Sequence, residues 1–256
     1  MKQSRLNRTA IARLNTPIRF AFAVLCAVFS LRGLTAEELP NIRPAMIGSG
    51  PGSLVNLIDV DGLYRKGQRD AWVMFNCSIA PDGIASRIIG YRVSPNSDLL
   101  KSELSKRLKG AGFIPAVYNH RRTWSGVSGT VIFVVANGKP HLRIFENQDL
   151  DEMKRGSDLI WPQVVDVPNA PPPTDPGEYP GHEANLDHAA SVKIRHSTDA
   201  EGNTTDVQVV SESSPGHDFG TNAVKIIRGN HYLPAYRNGR PTALTRVFEF
   251  RFVAQY

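Results

Sequence analysis

The sequence predicts an α+β fold: two tandem β-β-α-β modules, each a small antiparallel sheet with one helix packed on it. Three observations carry this expectation. Apolar and polar residues alternate in 192–196 and 247–252, the pattern of half-buried strands. Phe219, Ala223, Ile226 and Ile227 recur at helical spacing. And landmarks in the two halves share one offset of 119 positions: Asp82-Gly83 with Glu201-Gly202, Pro115-Ala116 with Pro234-Ala235, and Asn119 with Asn238. Chance matches do not hold a common register, so residues 71–135 and 190–254 align without a gap.

Residues 1–36 read as a signal peptide. They hold Lys2, Arg5, Arg8, Arg13, Arg19 and Arg32, no acidic residue, and an uncharged, mostly apolar run over 20–31. As a helix that run spans about 18 Å, short of the roughly 30 Å hydrocarbon core of a bilayer. The leader also accounts for the net charge of +6, because removing its six basic residues leaves 24 basic against 24 acidic. A nucleic-acid partner is excluded on that ground, since phosphate neutralisation needs a concentrated basic face. Of the two cysteines, Cys26 belongs to the leader, so Cys77 stands alone and is expected as a small buried apolar residue.

Residues 37–70, with Gly48-Ser49-Gly50-Pro51-Gly52-Ser53, are expected as a Gly/Pro linker; no Lys-Ser/Thr pair follows to make a phosphate loop. The first module, 71–150, places strands at 73–79 and 84–93 around the turn Ala80-Pro81-Asp82-Gly83. A helical stripe of Leu99, Leu100, Leu104 and Leu108 and a last strand at 127–135 complete it. Asp149-Leu150-Asp151-Glu152 begins a helical turn, and 151–178 is a Pro-rich connector containing Pro171-Pro172-Pro173.

The second module, 179–256, has its hairpin turn at 199–203, a returning strand at 205–210, and helix-opening residues Ser213-Ser214-Pro215. Gly229 stops the helix, and in the last strand Phe248, Phe250 and Phe252 face one way, Glu249 and Arg251 the other.

Catalytic chemistry is not indicated. Ser125-Gly126-Val127-Ser128-Gly129 has the spacing of a nucleophile elbow, yet no helix follows to expose a serine. His182, His188 and His196 share no helical face that would gather a metal. The expectation is therefore a protein without catalytic residues, metal or cofactor. Trp124 and Trp161 either pack against the neighbouring module or mark a binding groove.

The second module resembles the C-terminal domain of the TonB energy-transducer family. The resemblance rests on Tyr179-Pro180, Val192-Lys193-Ile194, Asp199, Gly202, Val207-Gln208-Val209-Val210, Ser213-Ser214, Tyr232-Leu233-Pro234-Ala235, Asn238-Gly239-Arg240-Pro241 and Phe248-Glu249-Phe250. The first module looks like a divergent relative, with His120-Arg121-Arg122 where the second has Gly239-Arg240-Pro241.

The resemblance implies a non-enzymatic, periplasmic envelope protein tied to transmembrane transport. It implies binding a partner protein, such as an outer-membrane receptor peptide, by adding a strand to a sheet edge. The residues expected at the contact are Tyr232, Pro234, Ala235, Asn238, Gly239, Val247, Phe248, Glu249, Phe250, Arg251 and Phe252, or the counterpart strand 127–135. The alternative is a structural envelope protein whose modules pair with each other or form a homodimer. Membrane association, at the inner membrane, is expected only if the leader is retained. A transducer of this family also needs an anchor and a long Pro-rich spacer; the apolar run is too short for the one and 37–70 for the other.

Overall fold

The computed structural model describes residues 38–167 and 190–252. The expected signal peptide and most of the Pro-rich stretch, with His182 and His188, lie outside the described residues. So does the Tyr179-Pro180 lead-in. The described residues from Leu39 onward pack as one compact unit.

Residues expected as a linker instead form part of the first module. Strands β1 (Ile42–Arg43) and β2 (Met46–Ile47) pair with later strands, and helices α1 (Leu54–Leu57) and α2 (Val60–Arg65) follow. Asp59 caps α2 by accepting from the Gly62 amide at 2.8 Å. Leu54, Ile58 and Leu63 enter the core. The reason lies in the spacing: apolar residues recur at three to five positions behind the Gly/Pro cluster, enough to give two short helices a buried side.

The first module continues with β3 (Ala71–Ile79), β4 (Ala85–Val93), α3 (Asp98–Leu108), β5 (Phe113–Ile114), β6 (Ala116–Tyr118), β7 (Arg121–Thr123) and β8 (Ser125–Ala136). Leu100, Leu104 and Leu108 are buried on α3, but Leu99 is 39% exposed. It sits about 100° around the helix from the stripe that four-residue spacing defines. Cys77 is buried, and burial pushes its thiol up to about 12, as expected of a packing residue.

Next come β9 (Lys139–Phe145), α4 (Leu150–Arg155) and β10 (Gln163–Val165), then the second module: β11 (Ala190–Thr198), β12 (Thr204–Glu212), α5 (Phe219–Gly229), β13 (His231–Leu233), β14 (Ala235–Arg237), β15 (Arg240–Thr242) and β16 (Leu244–Phe252).

The 119-residue offset reappears in three dimensions. Strands β3 and β11, β4 and β12, β6 and β14, and β7 and β15 begin and end 119 positions apart. The ladders share a register too, Ala71 facing Phe133 where Ala190 faces Phe252. Gly83 and Gly202 have positive φ, at 84° and 93°, and a Cβ on either would lie 2.3 Å from a carbonyl oxygen, that of Phe113 or of Tyr232. Both turns therefore require glycine for the same two reasons.

One sheet joins the modules. Its order is β13-β10-β8-β3-β4, with β9 also pairing β8. Strand β10 lies between β8 of the first module and β13 of the second. The connector thus supplies a shared strand. It also supplies Glu152, which accepts both terminal nitrogens of Arg237 at 2.9 and 3.0 Å and the Ser157 hydroxyl at 2.6 Å. Arg237 above all, then Ser157, holds the Glu152 carboxyl down at about 2.

Candidate functional site: an open strand edge and the cation behind it

Among the described residues the two last strands differ at their outer edges. Strand β8 pairs β3 on one side, and β9 and β10 also pair it. The expected edge at 127–135 is therefore covered from Thr130 onward. The sequence signal for this was Asn137-Gly138, a two-residue hairpin turn with φ of 52° and 72°. It folds β9 back along 130–136 of β8. Strand β9 in turn carries Lys139 and Pro140, residues that discourage further pairing.

Strand β16 has no such cover. Among the described residues it pairs only β11, in unbroken register from Leu244 to Phe252. The other outer strand of that sheet, β12, has two register irregularities in its ladder with β11. Bulges of this kind twist an edge away from partners, so β16 is the flatter template.

The residues expected at the contact divide into two groups. Val247 is 48% exposed, and Arg251 and Glu249 pair with each other at 2.9 Å on the outer face. Phe250 and Phe252 are buried under α5, packed ring to ring at 5.1 Å. Tyr232, Pro234 and Ala235 are buried and shape the site from beneath. Asn238 and Gly239 form the exposed β14–β15 turn, both in the left-handed region, with the Asn238 amide donating to Asp158 at 2.8 Å. That turn belongs to the joint between the modules and lies outside the β16 edge. On the outer face of the sheet, Ser191, Lys193, Ser211, Glu212, Ser213 and Glu249 line a shallow polar depression.

Behind β16 lies a group of residues the sequence reading missed. Arg246 shares the parity of Phe248 and Phe250 and so points to the helix side. Its guanidinium carbon lies 4.8 Å from the ring centre of Trp161 and 4.7 Å from that of Phe248. Trp161 is buried with Leu159 and Ala235, so it packs against the second module.

Across the ladder, His196 faces Arg246. Its Nε2 is 3.0 Å from the Thr204 hydroxyl, its ring centre is 4.9 Å from that of Tyr232, and its Nδ1 has no partner. Burial, reinforced by the charge of Arg246, pushes His196 down to about 3 and keeps it neutral. Burial also lowers Arg246 to about 10, so it remains charged at neutral pH. The signal was present in the sequence: a cation in register with an otherwise aromatic stripe.

The serine pattern has no catalytic neighbour in place. Ser128 donates to the Asn76 carboxamide oxygen at 2.8 Å, and Ser125 is fully buried. Among the described residues no group of three potential metal ligands occurs, and no helix is long and apolar enough to cross a membrane.

Comparison with known proteins agrees with the architecture of the second module. No curated protein and no solved structure matches the chain. The sequence model of one family does match, over residues 176–254, and its description is Gram-negative bacterial TonB protein C-terminal. The paired strands and the covering helix of the second module therefore lie within the part of the chain that matches the TonB C-terminal model, and the first module lies outside the match.

Proposed function

We propose that this is an exported, non-enzymatic envelope protein of the TonB type, linked to outer-membrane transport, which binds a partner protein by strand addition to β16. The observation that carries the reading is that β16, within the part of the chain that matches the TonB C-terminal model, pairs only β11 among the described residues. Such an edge offers backbone N–H and C=O groups that an extended segment satisfies, while pockets for alternate side chains select the segment. The first module, of the same strand order but closed along β8, acts as a support, and its descent from the same family is part of the proposal.

The rival is a scaffold whose modules serve each other. The shared strand β10 and the Glu152–Arg237 pair favour an intimate joint. That joint nevertheless leaves β16 unused, which the binding reading explains.

A photo-crosslinker at Val247 in cells, with one at exposed Arg228 on α5 as control, tests this. The expected product is a link from position 247 alone to an outer-membrane transport protein. Only chain-to-chain links from 247 would instead support the homodimer, and no link would sink strand addition at β16. Fractionation and N-terminal sequencing of the mature chain test export: a soluble periplasmic protein starting near Glu37 is expected, whereas an intact N-terminus in the inner membrane would make it an anchored transducer.

A further inference from the structure

Arg246 is a cation that nothing in the described structure neutralises. Its Nε is buried without a hydrogen-bond partner. None of the ion pairs among the described residues includes it. Two aromatic rings hold its flat faces, and this stacking orients a guanidinium without satisfying its N–H donors.

The first module shows that the fold does not need this arrangement. The positions 119 earlier than Arg246, His196, Tyr232 and Thr204 are Val127, Cys77, Phe113 and Ala85, all buried and apolar. Four polar or ionisable residues thus replace four apolar ones at equivalent places, and they do so only in the module whose last strand is open. Arg246 is half-buried, and a partly desolvated cation whose Nε–H has no partner is costly to maintain unless an anion completes it. Arg is the side chain best suited to a carboxylate, because its donors form a planar fork.

We propose that Arg246 is a carboxylate-binding site, filled by an acidic side chain on the strand that adds to β16; the source of the carboxylate rests on the strand-addition reading above. A residue directly opposite Arg246 on the added strand has its Cβ about 5 Å away and points to the same face. The next same-face residue, two positions along, lies over Phe248. The recognised segment is therefore extended, with an acidic residue and an apolar one two positions apart, both turned toward the helix side. His196, neutral and with Tyr232 against its ring, lines the site without adding a second cation.

The test uses the full mature chain and four probes: acetate, a short alternating Val/Thr peptide amide containing one Glu, the same peptide with Gln, and the Gln peptide with a free C-terminus. The Arg246 Nε–H NMR signal should shift with acetate. The Glu peptide should bind about tenfold more tightly than the Gln peptide, an advantage that high salt removes. Arg246→Met should abolish that preference while leaving the Gln peptide's affinity unchanged, and Arg246→Lys should retain only part of it.

An acetate titration that leaves the Nε–H signal in place overturns the site. So does equal binding of the Glu and Gln peptides, though strand addition then stands. Acetate binding with no peptide binding keeps the site and sinks strand addition. A preference for the free C-terminus over the Glu side chain keeps the site and assigns its carboxylate to a chain end. Should Arg246→Met fail to fold, the salt dependence of the Glu/Gln ratio in the unmodified chain decides.

Discussion

The two modules run the same strands in the same register and finish them differently. In the first, Asn137-Gly138 turns the chain back and β9 covers most of the last strand, with β10 taking its beginning. In the second, the last strand runs from Leu244 to Phe252 and pairs only β11 among the described residues.

The cores differ in step with the edges. Phe75 faces Gly129 in the first module and fills the space over it, where a Cβ would lie 2.5 Å from the ring. In the second, Ile194 faces Phe248, so the aromatic ring moves onto the last strand and becomes one jaw of the Arg246 clamp. The two modules, alike in strand order, thus differ at their last strands: one is largely covered and apolar, and the other carries a cation and pairs only β11 among the described residues.

Four substitutions or conditions probe that comparison, in descending size. Gly83→Val and Gly202→Val should each cost more than about 3 kcal/mol in urea melts, because each combines positive φ with a backbone clash. A clear inequality between them would mean the modules do not depend on this turn alike.

Acid comes second, and its His196 contribution belongs to the second module. His196 has a folded pKa near 3, below its ordinary value of 6.5, so the unfolded chain takes up a proton first. Its contribution is present above pH 6.5 and is lost as pH falls toward 3, by up to about 1.4 kcal/mol per unit. His196→Phe should flatten that slope, whereas Cys77, its neutral counterpart, contributes nothing in this range. Glu146 has the opposite sign. Burial raises it to about 7 from 4.5, so its contribution is present below pH 4.5 and is lost as pH rises through 7. Glu146→Gln should therefore stabilise the protein at pH 8. An acid limb unchanged by His196→Phe would contradict the buried neutral imidazole.

Third, Arg237→Ala should cost about 1–2 kcal/mol, since the pair is partly exposed but bidentate, and should loosen the joint between the modules. Faster amide exchange in β10 and β13 is the local readout. Melting without any change in that exchange would mean that β10 alone holds the joint.

The smallest effect is expected at Gly239. A Cβ there meets nothing within 4 Å, and the first module already holds His120 in the same left-handed conformation, φ 60° against 69°. Gly239→His should thus cost under about 0.5 kcal/mol and Gly239→Val about 1 kcal/mol, from backbone strain alone. A larger loss in a thermal melt would reveal a contact at this turn that the first module lacks.

Much of this was legible in the sequence because it is written locally. Alternation in 192–196 and 247–252, the Leu100-Leu104-Leu108 stripe and the two turn glycines each follow from neighbours a few residues away, and the common offset tied them into a repeat. The helices within 37–70 were hidden because four- and six-residue helices gain their stability from tertiary burial, which short-range pattern does not report. The Asn137-Gly138 turn is legible in the sequence, but it lies beyond 71–135, the stretch that aligns with the second half, so the repeat does not report the strand that follows it.

By itself, then, the sequence determined the long strands, the two longer helices, the common offset of 119 positions and the resemblance of its second half to the TonB C-terminal family, because periodicity, turn chemistry and register are short-range properties. Only the tertiary structure decided which last strand keeps a free edge, that β10 is shared between modules, and that Trp161 and Phe248 close on Arg246. Each of these depends on partners tens of residues apart, and strand pairing and side-chain stacking between such distant segments leave no mark in the pattern of either segment alone.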